Sequence, residues 1–264
     1  MMNHNQEPAV TKAMILAAGL GTRFKPWTDR HPKALAPVNG KSLLQRNIEY
    51  LQQYGIWDIV VNVHHFAPQI IRALADNDGW GSLITISDET DQVLETGGGL
   101  KKVRPFLEST PFVLMNVDIL TDLDLSAMIR DHFAHCPLAT LAVTGRQTSR
   151  YFLFNDQDEL RGWRNVKTGQ ERIVGSGHSG RQHRDGRQEG GYGISGLHPM
   201  AFSGIHVIDP AIFPLIRQEG KFSMVDVYLD LAENHTISGF DHSQSRLIDV
   251  GKPESVAQAE ALFP

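Results

Sequence analysis

Apolar positions along this chain alternate between two spacings. Ala13-Met14-Ile15-Leu16 is a short unbroken run ending in a glycine loop, the pattern of a strand buried on both faces of a parallel sheet. From Ser42 to Tyr54 the residues Leu43, Leu44, Ile48 and Leu51 fall at helical spacing, with Ser42 as N-cap and Gly55 just past the end. Ile59 to Val63 is a second strand, and Pro68 opens a helix through Ala75, proline being tolerated at the first helical position. The alternation continues with a strand at Leu83 to Ile86, a helix from about Thr96 to Val103 and a strand at Phe112 to Met115. A helix at Ser126 to Phe133 and a strand at Leu138 to Val143 come next. Such an order predicts an open parallel sheet with helices on both faces, in which ligands bind at the carboxyl ends of the strands. Beyond it the rhythm weakens to short strands at Tyr151 to Phe154 and Leu160 to Trp163. A strand at Ala201 to Val207, helices near Pro210 to Ile216 and Met224 to Glu233, a strand at Arg246 to Ile248 and a helix from Pro253 to Leu262 complete the reading, with no internal repeat.

Composition narrows the class. With 264 residues, 41% apolar and 21% charged, the chain can bury a large core, which excludes disorder as its main state. Twenty-five Lys and Arg against 30 Asp and Glu give a net charge of -5, the wrong sign for coating nucleic-acid phosphates. Cys136 is the sole cysteine, so no internal disulfide forms and a reducing compartment fits. Met1 to Thr11 are polar, without the apolar core of a secretory signal, and no later stretch nears about 18 uninterrupted apolar residues. These features predict a disordered tail over 1–11, one domain over 12–264, a cytoplasmic location, and neither nucleic acid nor membrane as partner. Residues 175–196 carry eight glycines and almost no apolar residues, which makes them a candidate lid. His178, His183 and His198 lack regular ligand spacing and read as parts of a solvated segment.

The loop after the first strand, Ala17-Ala18-Gly19-Leu20-Gly21-Thr22-Arg23-Phe24, is where glycines would let backbone amides approach a phosphate. A dinucleotide fingerprint needs a third glycine where Phe24 stands, and a P-loop needs Gly-Lys-Ser/Thr, which is absent. A loop carrying its own cation, Arg23, with a second at Lys33, suits a triphosphate gripped at two places; the bland alternative is a glycine turn with two surface cations. Asp118 and Asp249 each end an apolar strand, where a carboxylate either caps the next helix or binds a cation. Magnesium takes one or two carboxylates and completes its shell with phosphate oxygens and water. Glu95-Thr96-Gly97-Gly98-Gly99 has Thr96 as a candidate N-cap, and three glycines at a helix start, each about 1 kcal/mol worse than Ala, argue that close backbone approach is used.

Gly19-x-Gly21-Thr22-Arg23-x-x-Pro26-x-Thr28-x-x-x-Pro32-Lys33 resembles the signature of the nucleoside-diphosphate-sugar pyrophosphorylases, the sugar-1-phosphate nucleotidyltransferases. The likeness covers most of 12–125 and returns at 201–257. It implies a Rossmann-like, open, mixed and mostly parallel sheet, and a nucleotide site that includes Ala17, Ala18, Gly19, Gly21, Thr22, Gly97 and Gly98. Arg23 then braces the leaving pyrophosphate and Lys33 contacts the nucleotide phosphates. Asp118 and Asp249 hold Mg²⁺, with Val117 replacing a usual glycine and Leu247 and Lys252 replacing a usual Trp and Thr. Asn116, Ser203 and Gly204 fall on the sugar-phosphate side, with Lys167 a weaker candidate because the Glu-Lys-Pro pattern around it is missing. His64 and His65 lie near the same rim as candidate base contacts or plain solvated residues. Many relatives add a left-handed β-helix, for which no room is left after Asp249.

The form Glu-Thr-Gly-Gly-Gly is similar to the N-acetylmuramate-1-phosphate uridylyltransferase branch, with the mannose-1-phosphate guanylyltransferase-like members beside it. The expected reaction is NMP transfer from a nucleoside triphosphate to a sugar 1-phosphate, with UTP and N-acetylmuramate 1-phosphate first. GTP with mannose 1-phosphate, or another hexose or heptose 1-phosphate, is the alternative. A molybdopterin-type nucleotidyltransferase would lack the Pro-Lys segment, and a non-catalytic sugar-nucleotide regulator would be expected to lose Lys33, Asp118 or Asp249.

Overall fold

The structure, a computed structural model, describes residues 10–175 and 196–264. All but the two end residues of the lid expected over 175–196, His178 and His183 included, and most of the 1–11 tail lie outside the described residues. In chain order the elements are β1 (Lys12–Leu16), β2 (Pro37–Val38), β3 (Lys41–Ser42), α1 (Leu43–Gln53), β4 (Asp58–Val63), α2 (Ala67–Asp76) and β5 (Leu83–Asp88). Next come α3 (Glu95–Lys102), α4 (Arg104–Leu107), β6 (Phe112–Asn116), β7 (Ile119–Thr121), α5 (Leu125–His135) and β8 (Ala139–Thr144). The chain continues through β9 (Arg150–Phe154), β10 (Leu160–Asn165), β11 (Gln170–Ile173), β12 (His198–Ile208), α6 (Met224–Leu231), β13 (Ile237–Asp241), β14 (Leu247–Asp249) and α7 (Ser255–Leu262). The Pro210 segment is a 3-10 helix, Pro210–Leu215.

The main sheet is mixed. Its path runs β11-β10-β9-β12-β6-β1-β4-β5, with β8 pairing β12 and β13. The β6-β1-β4-β5 stretch is parallel, whereas β12 runs antiparallel to β6, β8 and β9. The unbroken apolar runs of β1, β4 and β6 come from burial on both faces. Ala13, Ile15, Ile59, Val61, Val113 and Met115 enter one core with residues of α1, α2 and α5. Met14, Val60, Phe112 and Leu114 enter a second core with residues of α3, α4 and α6.

A third, smaller cluster matters most for function. Phe24 from the glycine loop packs with Ala36, Val38, Leu43, Leu120, Ile248, Val250 and Ala259. It fixes that loop against β7 and β14, two three-residue strands that pair antiparallel and whose ladder sets Asp249 opposite Ile119. The strand expected at Arg246 to Ile248 is found one residue later as β14, whereas neither β7, too short to show a periodicity, nor its pairing with β14 was expected.

Ser42 caps α1 as expected, its Oγ accepting the Gln45 amide at 3.1 Å, and Gly55 lies just beyond with φ +75°. Thr96 does not cap α3: Leu94 holds that position, and the Thr96 hydroxyl instead accepts the Met224 amide at 2.9 Å, tying α3 to the start of α6. A cap motif read locally cannot see a donor arriving from a distant helix. No helix among the described residues is long and apolar enough to cross a membrane.

Candidate active site

The glycine loop divides into an anchored start and an open middle. Ala17 and Ala18 are buried, and their amides donate to Asn62 Oδ1 at 2.7 and 3.3 Å. Their part in a nucleotide site is thus to fix the loop rather than to offer amides. Among the described residues, the amides of Gly19, Leu20 and Gly21 have no intramolecular acceptor, and Gly19 and Leu20 are exposed. Successive unpaired amides of this kind make an anion-binding concavity. Gly21 has φ +60°, and a Cβ there would stand 2.8 Å from Thr28 Cγ2 and 3.2 Å from Lys33 Cβ. Glycine is therefore required for Thr28 and Lys33 to fold back onto the loop, and the Thr28 hydroxyl closes the turn on the Gly21 carbonyl at 2.9 Å. Thr22 is exposed, while Phe24 and Thr28 are buried, so part of the signature is scaffold.

Lys33, Asp118, Asp249 and Arg23 converge where the scaffold ends. Lys33 Nζ is ion-paired to Asp118 with both side chains largely buried. The Val250 amide donates to the Asp118 carbonyl at 2.8 Å, which holds the two aspartate-bearing segments side by side. Gly251 completes the corner: a Cβ on it would stand 2.7 Å from Asp249 Oδ1 and 3.1 Å from Arg23 Nη2. Burial by the packed strand ends raises the Asp249 carboxyl above its usual 3.8, and the Asp118 charge adds to that, while Lys33, Arg23 and Arg146 oppose it. The residue is nevertheless open to solvent on one side, so a ligand can reach it. Val117 is buried in the core with an ordinary backbone conformation, and Asn47 Nδ2 donates to its carbonyl at 2.8 Å, so the usual glycine is not needed at this turn.

The expected sugar side assembles only in part. Asn116 and Gly204 do meet: Gly204 has φ +75°, and a Cβ there would stand 2.7 Å from Asn116 Nδ2. Ser203 is corrected: its side chain is fully buried and its Oγ is 2.8 Å from His242 Nε2, so it shapes the strand and offers no hydroxyl to a ligand. His242 was missed; desolvation by burial holds its pKa below the usual 6.5. Lys167 is exposed on the β10–β11 turn, its amide bonded to Asn165 Oδ1 at 3.0 Å. His64 Nδ1 lies 2.7 Å from the Glu89 carbonyl and His65 Nε2 3.2 Å from the Thr28 carbonyl, so both rings brace the rim. His198 pairs with Asp156 at 2.7 Å.

Gly97 and Gly98 also require a revised reading. Both are buried in α3, and their amides donate to the Phe222 carbonyl at 2.9 and 3.3 Å. A Cβ on Gly97 would stand 2.4 Å from Phe222 Cδ2, and one on Gly98 would stand 2.2 Å from the Gly220 carbonyl oxygen. The close approach that these glycines permit is to the chain's own 220–222 segment. Beside them, buried Glu89 accepts Asn62 Nδ2 at 2.8 Å and the Leu94 amide at 3.2 Å, linking the glycine loop to the start of α3. Sequence reasoning passed over both Glu89 and Asn62. The available signal was Asn62 itself, a polar residue interrupting the apolar run from Ile59 to Val63.

An α/β sheet that gathers a glycine loop, two cations and two carboxylates at its strand ends defines a protein that handles nucleotide phosphates. The chain belongs to the nucleotidyl transferase family, whose sequence profile matches residues 12–153. It is 44% identical over 116 residues to the N-acetylmuramate alpha-1-phosphate uridylyltransferase of Neisseria meningitidis, a match covering 44% of this chain and 50% of that protein. To the Caulobacter vibrioides protein of the same name it is 29% identical over 259 residues, 97% of this chain and 98% of that one. In fold it is similar to HddC from Yersinia pseudotuberculosis, solved with GMP-PN, at a TM-score of 0.71 and 22% identity over 97% of this chain and all of that one.

Proposed function

We propose that the protein transfers a nucleoside monophosphate from a nucleoside triphosphate to a sugar 1-phosphate, yielding a nucleoside-diphosphate sugar and pyrophosphate. UTP with N-acetylmuramate 1-phosphate is the first pair, a choice supported by the similarity to the Caulobacter vibrioides uridylyltransferase over nearly the whole of both chains. One observation carries the reading: Asp118 and Asp249, remote in sequence, stand with Lys33 and Arg23 at one corner beside the open glycine loop.

In the reaction an oxygen of the sugar phosphate attacks the α-phosphorus as the bond to the bridging oxygen breaks and pyrophosphate leaves. The nucleophile is already an anion, so positioning and charge neutralisation suffice and no strong base is required. The amides of Gly19, Leu20 and Gly21 seat the triphosphate, Arg23 and Lys33 receive the charge that develops on pyrophosphate, and Asn116 orients the sugar phosphate. The donor set fits a magnesium ion: two hard carboxylates that repel each other, open on the cleft side. Among the described residues no third carboxylate, His or Cys joins them, which leaves the other positions to phosphate and water. When bound, magnesium supplies the charge that screens the two anionic substrates from each other. The unit over 12–264 would act in the cytoplasm on these soluble substrates.

The test is pyrophosphate release with Mg²⁺ over a grid of four nucleoside triphosphates and several sugar 1-phosphates. Turnover is expected with a uridine or guanosine nucleotide and greatest with UTP and N-acetylmuramate 1-phosphate. Binding of a finished sugar nucleotide with no turnover of any pair would support a regulator instead.

A further inference from the structure

Arg146 lies in the loop between β8 and β9, a stretch that matched no motif. The loop is held at both ends: the Gly145 amide donates to Ser243 Oγ at 2.9 Å and the Thr148 amide to Tyr151 Oη at 3.0 Å. The Arg146 guanidinium is itself held, Nη2 donating to the Phe202 carbonyl at 2.9 Å. Phe202 directly precedes Ser203 and Gly204, and Gly204 packs against Asn116, so this cation is fastened to the backbone of the expected sugar side. Among the described residues it has no carboxylate partner, it is exposed, and its charge is close enough to act on Asp249.

The Phe202 carbonyl accepts from one of the five N–H donors of the guanidinium, leaving a fork suited to bidentate binding of a phosphate. Charge balance points the same way. Lys33 is already matched by Asp118 and Arg23 belongs to the glycine loop, yet a phosphate monoester brings nearly two further negative charges at neutral pH. We infer that Arg146 is a substrate-contacting residue that binds the phosphate of the sugar 1-phosphate, with Asn116 beside it. This rests on the proposed reaction for the identity of the ligand, and on geometry alone for phosphate as the group bound.

Two measurements separate the inference from that reaction. In steady-state kinetics, Arg146→Gln is expected to raise KM for the sugar 1-phosphate about 10- to 100-fold, the scale of a hydrogen bond to a charged group, with KM for the triphosphate within about twofold. Arg146→Lys, keeping charge but losing the fork, should fall between. Unchanged constants, or a rise confined to the triphosphate, would overturn the assignment. So would a rise with N-acetylmuramate 1-phosphate but none with N-acetylglucosamine 1-phosphate, which would make the sugar carboxylate the group bound. The second measurement needs no turnover: the Nε–Hε resonance absent from Arg146→Lys should shift saturably as inorganic phosphate is added to the wild-type protein. A resonance that stays in place overturns the inference even if the enzyme is active, and a saturable shift in a protein that turns over no pair sinks the reaction while sparing Arg146.

Discussion

The nucleotide and sugar sides of the proposed site are built by different means. On the nucleotide side, a glycine loop and its cations come from one contiguous segment, 17–33, which rests on a parallel sheet and is pinned by Asn62 and Phe24. On the proposed sugar side, Asn116, Arg146, Gly204 and His242 come from four separated stretches, brought together by the pairing of β6, β8, β12 and β13 and by side-chain contacts across them. A contiguous device can be read from sequence, because residue spacing and spatial spacing coincide. A dispersed one cannot, since its parts meet only through strand pairing that leaves no local trace.

Five outcomes, ranked by expected size, test that contrast and the packing behind it. The largest effect belongs to the corner both sides share: Asp118→Asn should lower kcat/KM by about three decades, near 4 kcal/mol, in a pyrophosphate-release assay at saturating Mg²⁺. A loss under tenfold would mean that Asp118 serves only to pair Lys33. Arg23→Gln on the nucleotide side should cost about 10²-fold in kcat with little change in KM for the sugar phosphate, as expected for a donor to developing charge.

Glycine substitutions separate packing from binding. Gly204→Ala forces a side chain into φ +75° against Asn116, so it should cost about 1–3 kcal/mol in urea unfolding and also raise KM for the sugar 1-phosphate. Gly97→Ala, which collides with Phe222, should destabilise by a similar amount, about 1–3 kcal/mol, while the KM for the triphosphate holds steady in the protein that remains folded. A large rise in that KM would restore the nucleotide-binding role that the sequence suggested for Gly97 and Gly98.

The smallest effect at neutral pH comes from buried histidines. Burial lowers His132 to about 4 and His206 to about 3, against 6.5 for the free side chain. Both therefore take up protons in the unfolded chain before the folded one. Their contribution to stability is complete above pH 6.5 and declines as pH falls toward 4 and then 3, each unit of separation being worth about 1.4 kcal/mol. Thermal unfolding midpoints should thus drop steadily below pH 6; a midpoint unchanged from pH 7 to 4.5 would contradict this.

Legibility tracked burial and length. β1, β4 and β6, sandwiched between two cores, announced themselves as apolar runs, whereas β7 is three residues long, and β13 carries Gly239 against the Phe154 ring with no alternation to mark it. Arg23, Lys33, Asp118 and Asp249 were nameable because a long signature and strand-end carboxylates flag them, and the structure brings those four together. Gly97, Gly98 and Ser203 looked like ligand contacts, and Thr96 like a local cap, for the reason that they are useful inside: small or hydroxyl-bearing residues serve equally for close packing and for accepting a remote amide. Arg146 and Glu89 had no motif at all, and their positions are set only by where β8 and β5 end.

The central claim is that Asp118 and Asp249, held side by side by the β7–β14 ladder and by the Val250 amide on the Asp118 carbonyl, bracket one divalent ion. Electron paramagnetic resonance of Mn²⁺ in the presence of a non-hydrolysable UTP analogue tests it directly. One tight Mn²⁺ is expected in the wild-type protein, with affinity reduced by more than about tenfold in both Asp118→Asn and Asp249→Asn. Wild-type affinity in Asp249→Asn would contradict the account, because the β14 carboxylate would then stand at the corner without serving the metal.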